Sequence, residues 1–124
     1  MKILSPRVHG YLDYILVALF LLAPTLFGMS NVPSMISYAL AAIHLTETIL
    51  TAFPLGIVSL IPFTIHGASE FLISFVLIAL PWVAGFAAEA PARNFFVGSG
   101  ILIFVVWLTT DYKAATEKSI LAEA

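Results

Sequence analysis

The chain has 124 residues, of which 61% are hydrophobic and 10% are charged, and its formal net charge is -2. Soluble domains are about half apolar and a quarter charged, so this composition excludes an ordinary soluble fold and favours a single membrane domain. The five Lys and Arg residues are scattered, which argues against nucleic acid as a partner. The absence of cysteine excludes disulfides, thiolate metal sites and iron–sulfur clusters.

Four segments have the ~20 mostly apolar residues that a transmembrane helix needs. The predicted helices cover about 6–27, 32–53, 62–83 and 93–110, separated by turn-like residues at 28–31 and 85–91. Residues 54–61 are too few to span and are predicted to run along the membrane surface. Residues 113–124 form a polar tail that is predicted to continue as a short solvated helix. The expected fold class is all-α, a four-transmembrane-helix bundle in one membrane domain, 1–124.

The basic residues predict the orientation of this bundle in the lipid bilayer. Lys2 and Arg7 precede the first helix, Lys113 and Lys118 follow the fourth, and Arg93 alone marks the opposite side. Because cytoplasmic loops are enriched in Lys and Arg, both termini are expected to be cytoplasmic.

The chain repeats itself at an offset of 57 residues, the difference between His9 and His66. Residues 9–13 align with 66–70, Pro24 aligns with Pro81, and Gly28 aligns with Gly85. The pattern predicts two helix-pair repeats, 6–53 and 62–112. Each repeat holds an even number of helices, so both insert in the same orientation around an axis along the membrane normal.

The segments around the two prolines resemble a known family. Residues 80–86, Leu-Pro-Trp-Val-Ala-Gly-Phe, resemble the Ser-Pro-Trp signature of the SPW-repeat family of small bacterial integral membrane proteins. Residues 23–28 are similar to a weaker first copy, with Thr25 where the tryptophan belongs and no serine before either proline. The resemblance implies the two-repeat, four-helix architecture, in a protein expected in the bacterial inner membrane. It implies no known activity.

Three acidic residues and all three histidines fall inside the predicted spans, as three pairs one helical turn apart. The pairs have spacings of i,i+4, i,i+3 and i,i+4, which place both members of a pair on one helix face. All three acids lie roughly 9–12 Å in from the cytoplasmic helix ends. Three helices are therefore expected to contribute one pair each to a common layer, and the fourth none. The six candidate metal ligands are His9, Asp13, His44, Glu47, His66 and Glu70.

An ionised side chain inside the bilayer costs about 2.5–3.5 kcal/mol, so this layer calls for an explanation. Neutral imidazoles and carboxylates are ligands for zinc, iron, manganese and copper, and helix bundles hold dimetal sites with related spacings. The leading hypothesis is a layer that binds a metal ion or relays protons.

Other functions stay open at this point. The layer can be an interhelical polar network in a structural or accessory subunit of a larger membrane complex, or part of a ligand pocket. It can also serve a minimal proton-coupled transporter that acts as a dimer. Haem is disfavoured, because His9 and His66 lie near the surface and each already has a carboxylate. No nucleophile elbow, phosphate loop or dinucleotide fingerprint occurs, so no enzymatic activity is predicted.

Overall fold

The computed structural model describes residues 2–114, which form an all-helical fold around four long helices. The helices are α1 (Pro6–Leu26), α2 (Asn31–Ile49), α3 (Phe63–Val83) and α4 (Ala90–Thr109). Two short strands, β1 (Thr51–Ala52) and β2 (Ile61–Pro62), pair in parallel in the connection between α2 and α3. The all-α prediction is confirmed at this level. The tail helix predicted over 113–124 falls almost wholly outside the described residues.

Local sequence signals explain where α1 begins and ends. The Ser5 hydroxyl accepts a hydrogen bond from the Val8 amide, and Pro6 occupies the first turn, where no amide hydrogen is needed. The helix ends at Leu26, and Gly28 just beyond its C-cap turns the chain away with a φ of 57°, in the left-handed region that glycine enters without strain. Gly85 ends α3 in the same way, with a φ of 80°.

A proline inside α1 helps to join α1 to α2. Pro24 has no amide hydrogen, so the carbonyl of Phe20 one turn earlier lacks its helical partner. The hydroxyl of Ser37 in α2 donates to that carbonyl at 2.6 Å. The bond fixes α2 against the middle of α1.

Two predicted helix boundaries are wrong. Helix α2 ends at Ile49 and not near residue 53, because the Leu50 carbonyl accepts the amides of Leu60 and Ile61 and the chain turns into β1. Helix α4 begins at Ala90 and not at Arg93. Pro91, taken from the sequence as part of a turn, instead lies in the first turn of the helix.

Three of the helices, α1, α3 and α4, are long and apolar enough to cross a membrane. Helix α2 has 19 residues and carries His44, Glu47 and several hydroxyl side chains, which lower its hydropathy. Large apolar side chains project from the bundle, among them Ile43 with 63% and Leu72 with 65% of their surface exposed. Such faces are costly in water and suit lipid, so the fold is consistent with an integral membrane protein.

A candidate metal centre

Four ionisable side chains converge near the beginnings of α1 and α3. His9 and Asp13 share one face of α1, and His66 and Glu70 share one face of α3, as their i,i+4 spacing predicts. The ligand atoms of these four residues all lie within 4.8 Å of one another. Each residue has at most 2% of its surface exposed. We call these four residues the His–carboxylate cluster, a buried polar network inside an apolar helical protein.

Each histidine of the cluster faces both carboxylates. Nε2 of His9 is 3.2 Å from an oxygen of Asp13 and 3.2 Å from an oxygen of Glu70. Nε2 of His66 is 3.3 Å from Asp13 and 3.4 Å from Glu70. A single N–H group cannot point well at two oxygens. Within residues 2–114, Nε2 of His66 and Oδ2 of Asp13 have no hydrogen-bond partner although both are buried.

A threonine fixes the tautomer of His9. The Oγ1 atom of Thr110 lies 2.6 Å from the carbonyl oxygen of Val106 and 2.8 Å from Nδ1 of His9. Two oxygens at 2.6 Å need a hydrogen between them, and the hydroxyl has only one, so Thr110 donates to Val106. The hydroxyl oxygen must then accept, and Nδ1 of His9 carries the hydrogen. In the neutral ring the lone pair of Nε2 then faces the carboxylates.

The other histidine has the same arrangement. Oγ1 of Thr51 lies 2.6 Å from the carbonyl oxygen of Glu47 and 2.8 Å from Nδ1 of His66. Nδ1 of His66 therefore also donates, and in the neutral ring its Nε2 also presents a lone pair. Lone pairs that face two negative carboxylates repel them. A cation, either protons or a metal ion, is needed among these atoms.

Short backbone pairings hold the two threonines in place. Thr51 lies in β1 and pairs with Ile61 just before α3. Thr110 follows α4 and is bridged in parallel to Leu4 just before α1. The segment that follows each helix pair is thus paired with the segment that precedes the first helix of the other pair. Each pairing lies next to the histidine of that first helix. Sequence reasoning missed both threonines, since their distance along the chain from the histidines carries no signal.

Tyr112 is a further contact that sequence reasoning missed. Its hydroxyl donates to Oε2 of Glu70 at 2.8 Å, which leaves Oε1 for the histidines. Burial and the neighbouring Glu70 carboxylate raise the pKa of the Tyr112 hydroxyl above its usual range, so it stays protonated as a donor. With Thr110 it shows that the segment after α4 reaches the cluster. The fourth helix contributes no His–carboxylate pair to the cluster, as predicted, but the residues that directly follow it supply these two hydroxyl contacts.

The third predicted pair is placed differently from the other two. His44 lies at the edge of the cluster, with Nε2 3.5 Å from Oδ1 of Asp13. Glu47 is half-buried and lies outside the cluster. Both residues line a groove between α2 and α3. The structure thus brings four of the six candidates together, adds His44 beside them, and leaves Glu47 apart.

The donor set of the cluster suits a divalent transition metal. Two carboxylates carry two negative charges, and two neutral imidazoles add nitrogen lone pairs, so one divalent ion would make the site neutral. The Nδ1–H groups that donate to Thr51 and Thr110 are the kind of outer contact that orients metal-bound histidines.

No protein-family model matches the chain, and neither a curated protein nor a solved structure matches it.

Proposed function

We propose that this chain is an integral membrane protein that binds one divalent transition-metal ion through His9, Asp13, His66 and Glu70. The supporting observation is the spacing of the ligand atoms. The four nitrogen–oxygen distances are 3.2–3.4 Å. Charge-assisted hydrogen bonds are shorter, about 2.7–2.9 Å. In a tetrahedral site with bonds of ~2.0–2.1 Å, neighbouring ligand atoms are ~3.3–3.4 Å apart. The nitrogen–oxygen distances are close to this spacing, with His9 measured to Oδ1 and His66 to Oδ2 of Asp13.

The direction of the two imidazole rings fits a metal ion. With both Nδ1 atoms donating to threonines, both Nε2 atoms point toward one region between the carboxylates, and in the neutral rings they present lone pairs there. One metal ion in that region satisfies both nitrogens and both carboxylates at once. The sulfur-free donor set accepts zinc, iron, manganese or copper.

The membrane topology that accompanies this proposal has four spans, with α2 included. Helix α2 packs along α1, and two of its hydroxyl residues, Ser37 and Thr48, are fully buried, so they are hidden from lipid. In the proposed topology both termini lie in the cytoplasm, which the distribution of Lys and Arg supports. The two repeats insert with the same orientation. The resemblance to the SPW-repeat family and the bacterial inner-membrane location stay predictions.

The competing function is a purely structural polar network in a membrane subunit, with the cluster charged by protons alone. Metal content separates the two, because a proton network needs no ion. We expect about one metal ion per chain in detergent-purified wild-type protein incubated with zinc, iron, manganese or copper and then washed. Glu70→Gln keeps the shape of the side chain and removes a charged ligand, so it should lose the metal.

Glu47→Gln is the matched control, because Glu47 is an acid of the same helix layer that lies outside the cluster. This variant should keep its metal. A folded wild-type protein that retains none of the four ions contradicts the proposal and leaves the polar network as the function of the cluster. Equal metal loss in both variants contradicts the assignment of the ligands.

A further inference from the structure

A small cavity opens between α1 and α4 and ends at the His–carboxylate cluster. Its volume is about 100 Å³. The walls are formed by aliphatic side chains of α1 and α4, among them Ile15, Leu19 and Leu102. The remaining lining residues, Asp13 and Glu70, are the carboxylates of the cluster. The cavity is therefore apolar along its walls and polar at one end.

The mouth of the cavity faces the surroundings of the bundle and not its core. Ile15 has 54%, Leu19 39% and Leu102 50% of its surface exposed, and these residues belong to helices that are apolar enough to cross a membrane. A dry aliphatic cavity of about 150 Å³ takes up benzene, so this one has room for a few methylene groups. A molecule would reach the cavity from the acyl-chain region of the bilayer.

The polar end of the cavity selects the chemistry of the occupant. An alkane would leave Oδ2 of Asp13 without a hydrogen-bond partner, and a charged head group would add charge to a buried site that one divalent ion would make neutral. A hydroxyl is uncharged and both donates and accepts. It can donate to that carboxylate oxygen while its own oxygen faces the proposed metal site, and zinc sites can accept a further oxygen ligand.

From this geometry we infer that the cavity binds a long-chain membrane alcohol, with the chain between α1 and α4 and the hydroxyl at Asp13 and Glu70. The inference rests on the proposed metal site, which the hydroxyl joins as an additional ligand. The groove between α2 and α3 offers a comparison. It is lined by His44 and Glu47, and Glu47 lies outside the cluster, so an occupant of that groove would not reach the metal in the same way.

The test uses the full chain, loaded with zinc, in phosphatidylcholine nanodiscs. The probe is 1-hexadecanol that carries a photoreactive diazirine in its chain. We expect saturable cross-links within residues 12–19 and 102–106, reduced at least tenfold by unlabelled 1-hexadecanol. Hexadecyl methyl ether, which cannot donate a hydrogen bond, should not compete.

A tryptophan substitution in the cavity and one in the other groove test whether the cross-links depend on the cavity. Leu102→Trp fills the mouth of the cavity and should abolish the saturable cross-links. Ile43→Trp places the same bulk in the other groove, at a residue with 63% of its surface exposed, and should leave them unchanged. Leu19→Trp fills the same mouth from α1 and replaces Leu102→Trp if that variant does not fold. Cross-links that do not saturate, or that persist in the cavity-filling variants, overturn the inference.

Metal content is measured on every sample, so that the two proposals fail separately. Leu102 is not one of the four ligands, so Leu102→Trp should retain its zinc. Bound zinc without saturable cross-linking overturns the alcohol site and leaves the metal site intact. Saturable cross-linking of protein that binds no metal overturns the metal site, and with it the role of the hydroxyl as a ligand.

Discussion

His9 and His66 each bond a threonine through Nδ1, and this bond decides which ring nitrogen is left for a ligand. The threonine hydroxyls are committed to carbonyls of the helices that precede them, so they can only accept from the imidazoles. Outer contacts of this kind set the orientation and basicity of metal-bound histidines. The threonines should therefore matter for metal affinity although they touch no metal.

We expect Thr110→Val to lower metal affinity about 10–100-fold, because His9 loses the acceptor that holds its tautomer. The side chain keeps its volume, so the protein should stay folded. Competition with a zinc chelator measures the affinity. Thr109→Val is the control, since the Thr109 hydroxyl bonds only carbonyls of its own helix. Equal affinities in the two variants would contradict the role of Thr110.

Tyr112→Phe removes the hydroxyl that donates to Glu70. A hydrogen bond to a charged group is worth about 1.5–3 kcal/mol, and Tyr112 is only half-buried, so the lower end of that range applies. We expect metal affinity to fall about tenfold by the same competition assay. The exposed Tyr11 gives the control variant Tyr11→Phe, which should bind metal like the wild type. A Tyr112→Phe protein of unchanged affinity would show that Glu70 needs no such support.

Residue spacing predicts part of this site and not the rest. The i,i+4 spacing is enough to predict the pairs His9–Asp13 and His66–Glu70, because one helical turn fixes a shared face. Spacing does not say which neighbouring helix that face meets. His44 therefore turns toward Asp13, while Glu47 lies outside the cluster. The threonines come from distant parts of the chain, where no local pattern indicates them.

At the scale of elements, a glycine follows each of the two histidines of the cluster, and its missing side chain lets another segment of the chain pack closely there. A Cβ atom on Gly67 would lie 2.7 Å from the Tyr112 ring. A Cβ atom on Gly10 would lie 2.8 Å from Phe53 and from Leu55. These distances are far below a normal contact. The His-Gly step in each repeat thus combines a ligand with a site of close approach.

We expect Gly67→Ala to destabilise the protein by about 1–3 kcal/mol, because the new methyl group displaces Tyr112 from a tightly packed position. Thermal unfolding in detergent should show a lowered midpoint. Gly98→Ala is the matched control, since a Cβ atom there meets nothing within 4 Å. That change replaces a helical glycine and should be neutral or stabilising by up to about 1 kcal/mol. If Gly67→Ala unfolds no earlier than Gly98→Ala, the close packing of Tyr112 is wrong.

Helix positions follow from hydropathy more reliably than helix ends do. Pro6 and Gly28 marked both ends of α1 in the sequence. The sequence predicts that α2 runs to about residue 53, but the pairing of Thr51 with Ile61 ends it earlier. That pairing depends on a contact between two separate segments, which the local sequence does not reveal. The same contact brings Thr51 to His66, so the misplaced boundary and the missed threonine have one cause.

At the scale of the whole molecule, the cluster lies where the two helix pairs meet. Helices α1 and α3 each supply one histidine and one acid, and the threonine for each histidine comes from the end of the other helix pair. Neither pair holds a complete site alone. The hydropathy pattern predicts the helices, but the joining of the two pairs follows only from the three-dimensional contacts.

The four-span topology has a direct test, because the chain contains no cysteine and any introduced cysteine is unique. Two positions for such a cysteine, Lys2→Cys and Val58→Cys, lie at the end of the bundle that carries both termini. A third, Ala88→Cys, lies at the opposite end, in the connection between α3 and α4. We expect a membrane-impermeant maleimide to label only Ala88→Cys from outside intact cells. Labelling of Val58→Cys from outside would contradict a spanning α2, and labelling of Lys2→Cys would reverse the orientation.

The central claim is that one metal ion is bound by two imidazoles and two carboxylates. X-ray absorption at the metal edge of the loaded, detergent-purified protein tests it most directly. We expect a first shell of nitrogen and oxygen at about 2.0–2.2 Å, without sulfur, and outer-shell scattering from two imidazole rings. A metal shell without imidazole scattering, or a folded protein that takes up no metal, would contradict the claim.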